Sequence, residues 1–194
     1  MSPLPSAEAY VQDSESPDIE TISSKIVYEN RWMRVHEDRT RFRDGSPGLY
    51  GYVDKPDFAI VAPICGGRVH LVQQFRYPVK ARHWEFPQGS FDSRSQEQGR
   101  QVAAEELEQE TGLRAGRIVE AGHLYPLYGT VAQGYRIFLA SDLSPGTARP
   151  ELEEQDLITQ SFDLETFEQM LRDGTIQDAG TMASYGLLKL KGLV

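Results

Sequence analysis

The spacing of apolar positions changes along the chain, and each change marks an element. Residues 1–18 are rich in Ser, Pro, Asp and Glu. Segments so poor in large apolar groups bury too little surface to offset the entropy of ordering, so a flexible tail is expected there. From Ile19 the text becomes β-like: TISSKIVYEN, WMRVHEDRTRF, a turn at RDGSPG, then LYGYVD, with KPD closing the unit. This predicts a three-stranded antiparallel meander over residues 19–57, at roughly 40 residues too small to count on for stability by itself. DFAIVAPI is a continuous apolar run, the pattern of a strand covered on both faces, and Gly66 and Gly67 turn it into the alternating RVHLVQQFRY.

HWEFPQG and the polar stretch SFDSRSQEQ follow, where Ser95 with Gln98 three residues on fits a capping box. A helix is therefore expected from there to Thr111, stopped by Gly112. RIVEAGHLY, YRIFLASDL and ITQSF read as strands, and SPGTARPELEEQD as a long loop. DLETFEQMLRDG reads as a helix capped by Asp163, with Leu164, Phe167, Met170 and Leu171 as its apolar stripe and Gly174 at its end. TMASYGLLKLK supplies a last helix. The order is that of a mixed α/β chain without internal repeats, its main domain running over residues 58–194.

Composition narrows the chemistry. Twenty Lys and Arg against 29 Asp and Glu leave a net charge of -9, which argues against nucleic acid or a membrane surface as partner. An anionic substrate would then need a local cationic patch or a bound metal. The single cysteine, Cys65, excludes an intramolecular disulfide and a multi-cysteine metal site, and its apolar surroundings predict a buried thiol. No leader pattern and no apolar run long enough to cross a bilayer is present, so a cytoplasmic location is expected. The four histidines (His36, His70, His83, His123) lack metal-ligand spacing, and there is no nucleophile elbow, P-loop or dinucleotide glycine motif.

The acidic stretch EELEQETGL, residues 105–113, is the strongest chemical signal. Gly99, Ala103 and Leu107 share one face of the expected helix, with Thr111 continuing it, and Glu106 and Glu110 lie together beside that stripe. Glu105, Glu106, Glu108 and Glu110 all fall near the C-terminal end, against the helix dipole. Within the helix no Lys or Arg stands three or four residues from Glu106 or Glu110. Like charges so placed destabilise a helix unless a cation sits between them, and Mg2+ or Mn2+ is the simplest choice. Two carboxylates cannot fill its oxygen shell, so the remaining ligands would be water, backbone carbonyl and substrate phosphate.

GSFDSRSQEQGRQVAAEELEQETGL resembles the signature of the Nudix hydrolases, matching at Gly89, Glu97, Glu106, Leu107, Glu110, Gly112 and Leu113. It departs from that signature at Glu105, where the family has arginine, at Gln109, where it has glutamate, and by two extra residues between Gly89 and Glu97. The resemblance extends over about residues 19–190 and is to the ADP-ribose pyrophosphatase-like branch. It implies a Nudix fold, a mixed β-sheet between helices with a small N-terminal antiparallel β-subdomain. It also implies a homodimer made by exchanging that subdomain.

By the same resemblance, Glu106, Glu110 and the backbone carbonyl of Gln88 would bind Mg2+ or Mn2+ and make the catalytic centre. Arg76 and Glu85 would contact a nucleoside diphosphate substrate. Tyr128 stands where ADP-ribose enzymes commonly carry proline, and an aromatic there could stack on the base, with Trp32, Tyr28 and Tyr50 as alternative stacking surfaces. A base-like glutamate would come from RPELEEQD, with Glu154 as first choice, Glu153 second and Glu151 also on the loop. Arg94 or Arg100 would stand in for the missing arginine as partner of Glu97. The activity implied is cleavage of an ADP-ribose-like diphosphate. Glu105 and Gln109 keep open a Nudix-fold module that binds without efficient hydrolysis, and a third reading is an interaction domain whose acidic helix faces a basic partner.

Overall fold

The structure, a computed structural model, describes residues 18–91, 99–149 and 156–194. Apart from Asp18, the expected tail lies outside these residues, as does the Ser95–Gln98 capping box. The chain divides into two compact units, one ending at Asp54 and one spanning Lys55–Val194.

In the first unit, β1 (Ile19–Glu29), β2 (Arg34–Phe42) and β3 (Pro47–Asp54) form an antiparallel meander. Asn30 closes the first turn by accepting from the backbone N–H groups of Trp32 (2.9 Å) and Met33 (3.0 Å), the side-chain mimicry that favours Asn in turns. Asp44 does the same for Ser46 in the second turn, at 2.9 Å. Ion pairs Arg34–Glu29, Arg41–Glu20 and Arg43–Asp18 run along the β1–β2 ladder.

The second unit contains β4 (Phe58–Cys65), β5 (Arg68–Arg76), β6 (Ala81–Glu85), β7 (Gln88–Ser90), α1 (Gly99–Thr111), β8 (Leu113–Leu124), the two-residue β9 (Val131–Ala132), β10 (Tyr135–Pro145), β11 (Ile158–Asp163), α2 (Leu164–Arg172) and α3 (Ala179–Leu190). Its sheet runs β11-β5-β4-β10-β8. The sheet is mixed: β10 is parallel to β4 and antiparallel to β8. Strand β4 is covered on both faces, as its unbroken apolar run predicts. Ile60, Ala62 and Ile64 pack with Phe167 of α2 and Leu188 of α3, whereas Ala59 and Val61 pack with Ala103 and Leu107 of α1. The architecture is thus a mixed sheet between α1 on one side and α2 with α3 on the other. Glu168 of α2 ties the last two helices by accepting from Tyr185 Oη (2.5 Å) and Lys189 Nζ (3.2 Å).

The sheet opens in the middle. Strands β4 and β5 pair only next to their hairpin, Ile64 with Val69 and Cys65 with Arg68, and then separate. The segment between β6 and β7 fills the wedge: Glu85 pairs with Val72 on β5, and Gln88 pairs with Ile60 on β4. At the crossing, Val61 N donates to Pro87 O (3.0 Å), and Phe86 N donates to Thr181 Oγ1 (2.8 Å). Every backbone donor so satisfied keeps the inserted segment buried without cost in unpaired groups. Glu85 and Gln88 are thereby carried into the centre of the unit. Cys65 is only partly buried, because it ends β4 at the exposed hairpin.

Candidate active site

Helix α1 lies across the opened sheet with Gly99, Ala103, Leu107 and Glu110 buried, the i, i+4 stripe extended by a carboxylate. Glu110 is only 2% exposed. Glu106, one turn earlier, rests directly on Gly89 of β7: a β-carbon at residue 89 would collide with its carboxylate. Glycine there gives the helix carboxylate room against the backbone beside Gln88, a close approach that any other residue would block.

The C-terminal end of α1, where four carbonyls lack helical partners, is closed by backbone donors from outside. Gly112, at φ +70°, donates to Glu108 O (2.8 Å) in the left-handed conformation that glycine adopts at helix ends. Gly146 N reaches Gly112 O (2.7 Å), and Arg149 N reaches Gln109 O (2.8 Å). Arg114, four residues after Glu110 but beyond the helix, turns to Glu108, with Nε at 2.8 Å and Nη2 at 2.7 Å. The Arg114 guanidinium holds the Glu108 carboxyl below the usual carboxylate range. Glu105 accepts from Gln101 Nε2 at 2.8 Å. The acidic cluster is therefore sorted by direction: Glu105 and Glu108 are engaged on the outer faces, and Glu106 and Glu110 face inward.

A cavity of about 800 Å3 opens beside this segment, lined by Arg76, Glu85, Gln88, Gly89 and Asp178 among others. Its size is that of a small-molecule site. Gln88 and Gly89 join the two features, since they line the cavity while Glu106 rests on Gly89. Arg76 clasps Glu85 through both carboxylate oxygens, Nε to Oε2 at 3.1 Å and Nη2 to Oε1 at 2.5 Å. Glu85 is 2% exposed, and burial pushes its carboxyl up against the opposing pull of Arg76. Asp178 caps α3 by accepting from Thr181 N at 2.7 Å.

Residues 19–53 match the family model described as the nucleoside diphosphate sugar hydrolase N-terminal domain. An ADP-ribose pyrophosphatase of Bacillus subtilis is 25% identical over 179 residues, covering 91% of this chain and 96% of the relative. An ADP-ribose pyrophosphatase of Mycobacterium tuberculosis is 29% identical over 177 residues, covering 88% and 84%. A solved structure of an ADP compounds hydrolase superposes with a TM-score of 0.79 over 93% of this chain and all of its own, at 20% identity, which speaks to the fold. Over most of its length the chain is thus similar to ADP-ribose pyrophosphatases, as the Nudix-like signature in its sequence implies. A CMP-5'-(N-acetyl-N-hydroxy-3-aminopropyl)phosphonate hydrolase of Streptomyces rubellomurinus, 29% identical over 173 residues, widens the chemistry found among its relatives.

Of the residues that match the Nudix signature, Gly89 and Glu106 meet where α1 approaches β7, and Glu110 is buried on the same helix. Glu97, Arg94, Glu151, Glu153 and Glu154 lie outside the described residues. Arg100 donates to Ile118 O at 2.6 Å. Trp32 stands in the β1–β2 turn of the first unit, 58% exposed, with the Arg31 guanidinium 4.0 Å from its ring centroid. Tyr128, 85% exposed in the turn after β8, is not among the cavity's lining residues. Lys55, His83 and Asp178 do line it and were not singled out in the sequence. Asp178 alone carried a usable signal, an Asp three residues before Thr181 at a helix start.

The donor set suits a hard cation. Glu106, Glu110 and the Gln88 carbonyl offer only oxygen, and Gly89 leaves the room that Glu106 occupies beside Gln88. Among the described residues no three acidic, His or Cys side chains gather into a metal site. Among the described residues no helix is long and apolar enough to cross a membrane.

Proposed function

We propose that this protein hydrolyses the diphosphate of ADP-ribose or a related nucleoside diphosphate sugar, in the presence of Mg2+ or Mn2+, to a nucleoside monophosphate and a sugar phosphate. The observation that carries the proposal is Glu106 seated on Gly89, at the wall of a cavity that also contains the Arg76 guanidinium. On this reading the helix carboxylates serve a cation, and the Arg76 fork serves a phosphate. The names of the relatives, ADP-ribose pyrophosphatases and a CMP-linked phosphonate hydrolase, point to the same class of substrate.

Glu106, Glu110 and the Gln88 carbonyl would hold the cation, which acts as a Lewis acid and screens the diphosphate. Arg76 holds a phosphate oxygen and orients it. Glu154, or Glu153, removes the proton from the attacking water. Gln109 takes a carboxylate away from the family's metal cluster, which favours a second reading, a module that binds the same ligand and cleaves it slowly.

Hydrolysis of ADP-ribose and a panel of nucleotide sugars, followed by product analysis with and without Mg2+ or Mn2+, tests this. Metal-dependent release of AMP and ribose 5-phosphate is expected. Tight binding without turnover in the wild type, with turnover appearing in Gln109→Glu, would favour the second reading instead.

A further inference from the structure

Arg76 has five N–H bonds and two usable edges, the side formed by Nε with Nη2 and the end formed by Nη1 with Nη2. Glu85 occupies the side edge completely, with bonds of 3.1 and 2.5 Å. The end edge is what remains to a ligand, and Arg76 lines the cavity with 39% of its side chain exposed. Glu85 itself is 2% exposed and pairs through its backbone with Val72 of β5, so its carboxylate is fixed by the sheet as well as by the ion pair. Its neighbour Phe86 is anchored in turn by Thr181 Oγ1, which donates to Asp178 at 2.7 Å. A mobile four-torsion side chain at a strand end is thus held in one orientation by a buried carboxylate from the adjacent strand.

We infer that Glu85 is a positioning residue: it does not touch the substrate but fixes Arg76 so that the guanidinium's end edge is presented to a substrate phosphate. Holding a donor fork in place before binding removes the ordering cost that a free arginine would incur on each encounter. The charge balance agrees. A buried carboxylate aimed at a diphosphate would repel it, whereas one masked by both bonds to Arg76 leaves the fork as the group the phosphate meets. Burial raises the Glu85 carboxyl and Arg76 opposes this, as a mutually dependent pair requires.

The inference rests on the diphosphate substrate proposed above, and a double-mutant cycle tests it on ADP-ribose with Mg2+, using Glu85→Gln, Arg76→Ala and the double variant. Expected are a roughly tenfold rise in KM for Glu85→Gln with kcat within about twofold, the loss of one charge-assisted bond's worth of orientation. The double variant should be no worse than Arg76→Ala, because Glu85 acts only through Arg76. Additive losses would mean that Glu85 meets the substrate itself and would overturn the inference. A fall in melting temperature with KM unchanged would overturn it too, as a purely structural role. Arg76→Lys, which keeps the charge and loses the fork, should resemble Glu85→Gln.

The Arg76 Nε–H resonance gives a readout independent of turnover. It should be protected from solvent exchange in the wild type and lose that protection in Glu85→Gln. Equal exchange in both proteins would overturn the positioning role even in an active enzyme. A wild type with no turnover and no ADP-ribose binding would sink the proposed substrate, while the resonance would still decide whether Glu85 fixes Arg76.

Discussion

Glu106 rests where a side chain on residue 89 would have to be. Gly89→Ala is therefore expected to push that carboxylate off the backbone beside Gln88, with a loss in metal-dependent kcat of about a hundredfold, the scale of a displacement of about 1 Å at a reacting centre. Rates at saturating Mg2+, beside far-UV circular dichroism to confirm folding, check it, and an unchanged rate would remove Glu106 from the metal site. At this scale the acidic residues were legible in sequence because their i, i+4 spacing and their opposition to the helix dipole required an explanation. Arg114 as the partner of Glu108 was not, since the pairing runs around the Gly112 turn rather than along the helix. Lys55 and His83 were equally invisible. They are single residues that only the tertiary path brings to the cavity.

Among the elements, α2 was the most legible. Asp163 accepts from Thr166 N (2.7 Å) as the cap, Phe167 and Met170 are buried, and Gly174 adopts φ +78° just beyond the end. The backbone N–H and hydroxyl of Thr166 hold the Asp163 carboxyl below its ordinary 3.8. A depressed carboxylate contributes stability that is present above the ordinary value and lost as pH falls through the lowered folded value. Asp163→Ala should accordingly be less stable than the wild type at neutral pH, with the deficit shrinking as pH falls below the ordinary aspartate value. Urea unfolding across that range measures it, and a deficit that stays constant with pH would show that the cap's charge plays no part. Strands β6 and β7, at five and three residues, were not assigned from HWEFPQG. Each is defined by a different partner strand far away in the chain, and no local period can announce that.

For the whole molecule, the sequence supported a mixed α/β fold with a β-meander before it, and both are present. The parallel β4–β10 pairing and the opening of the sheet are long-range choices that local patterning leaves undetermined. Strand β1 is exposed along all of its 11 residues, with Ile19, Ile22, Ile26, Val27 and Tyr28 each at least 40% exposed. So much apolar surface on one edge strand calls for a cover, and a second copy of this chain is our proposal. Light scattering should give twice the 21.8 kDa chain mass at micromolar concentration, and a monomer at all concentrations would contradict it.

The most direct test of the central claim is the rate of AMP release from ADP-ribose with Mg2+, compared between the wild type and Glu110→Gln. If the inward-facing glutamates of α1 hold the cation, the wild type turns over only with metal and the variant loses about 10²- to 10³-fold, the several kcal/mol that a Lewis-acid ion supplies. Equal rates in the two proteins, or turnover that persists in chelator, would contradict it.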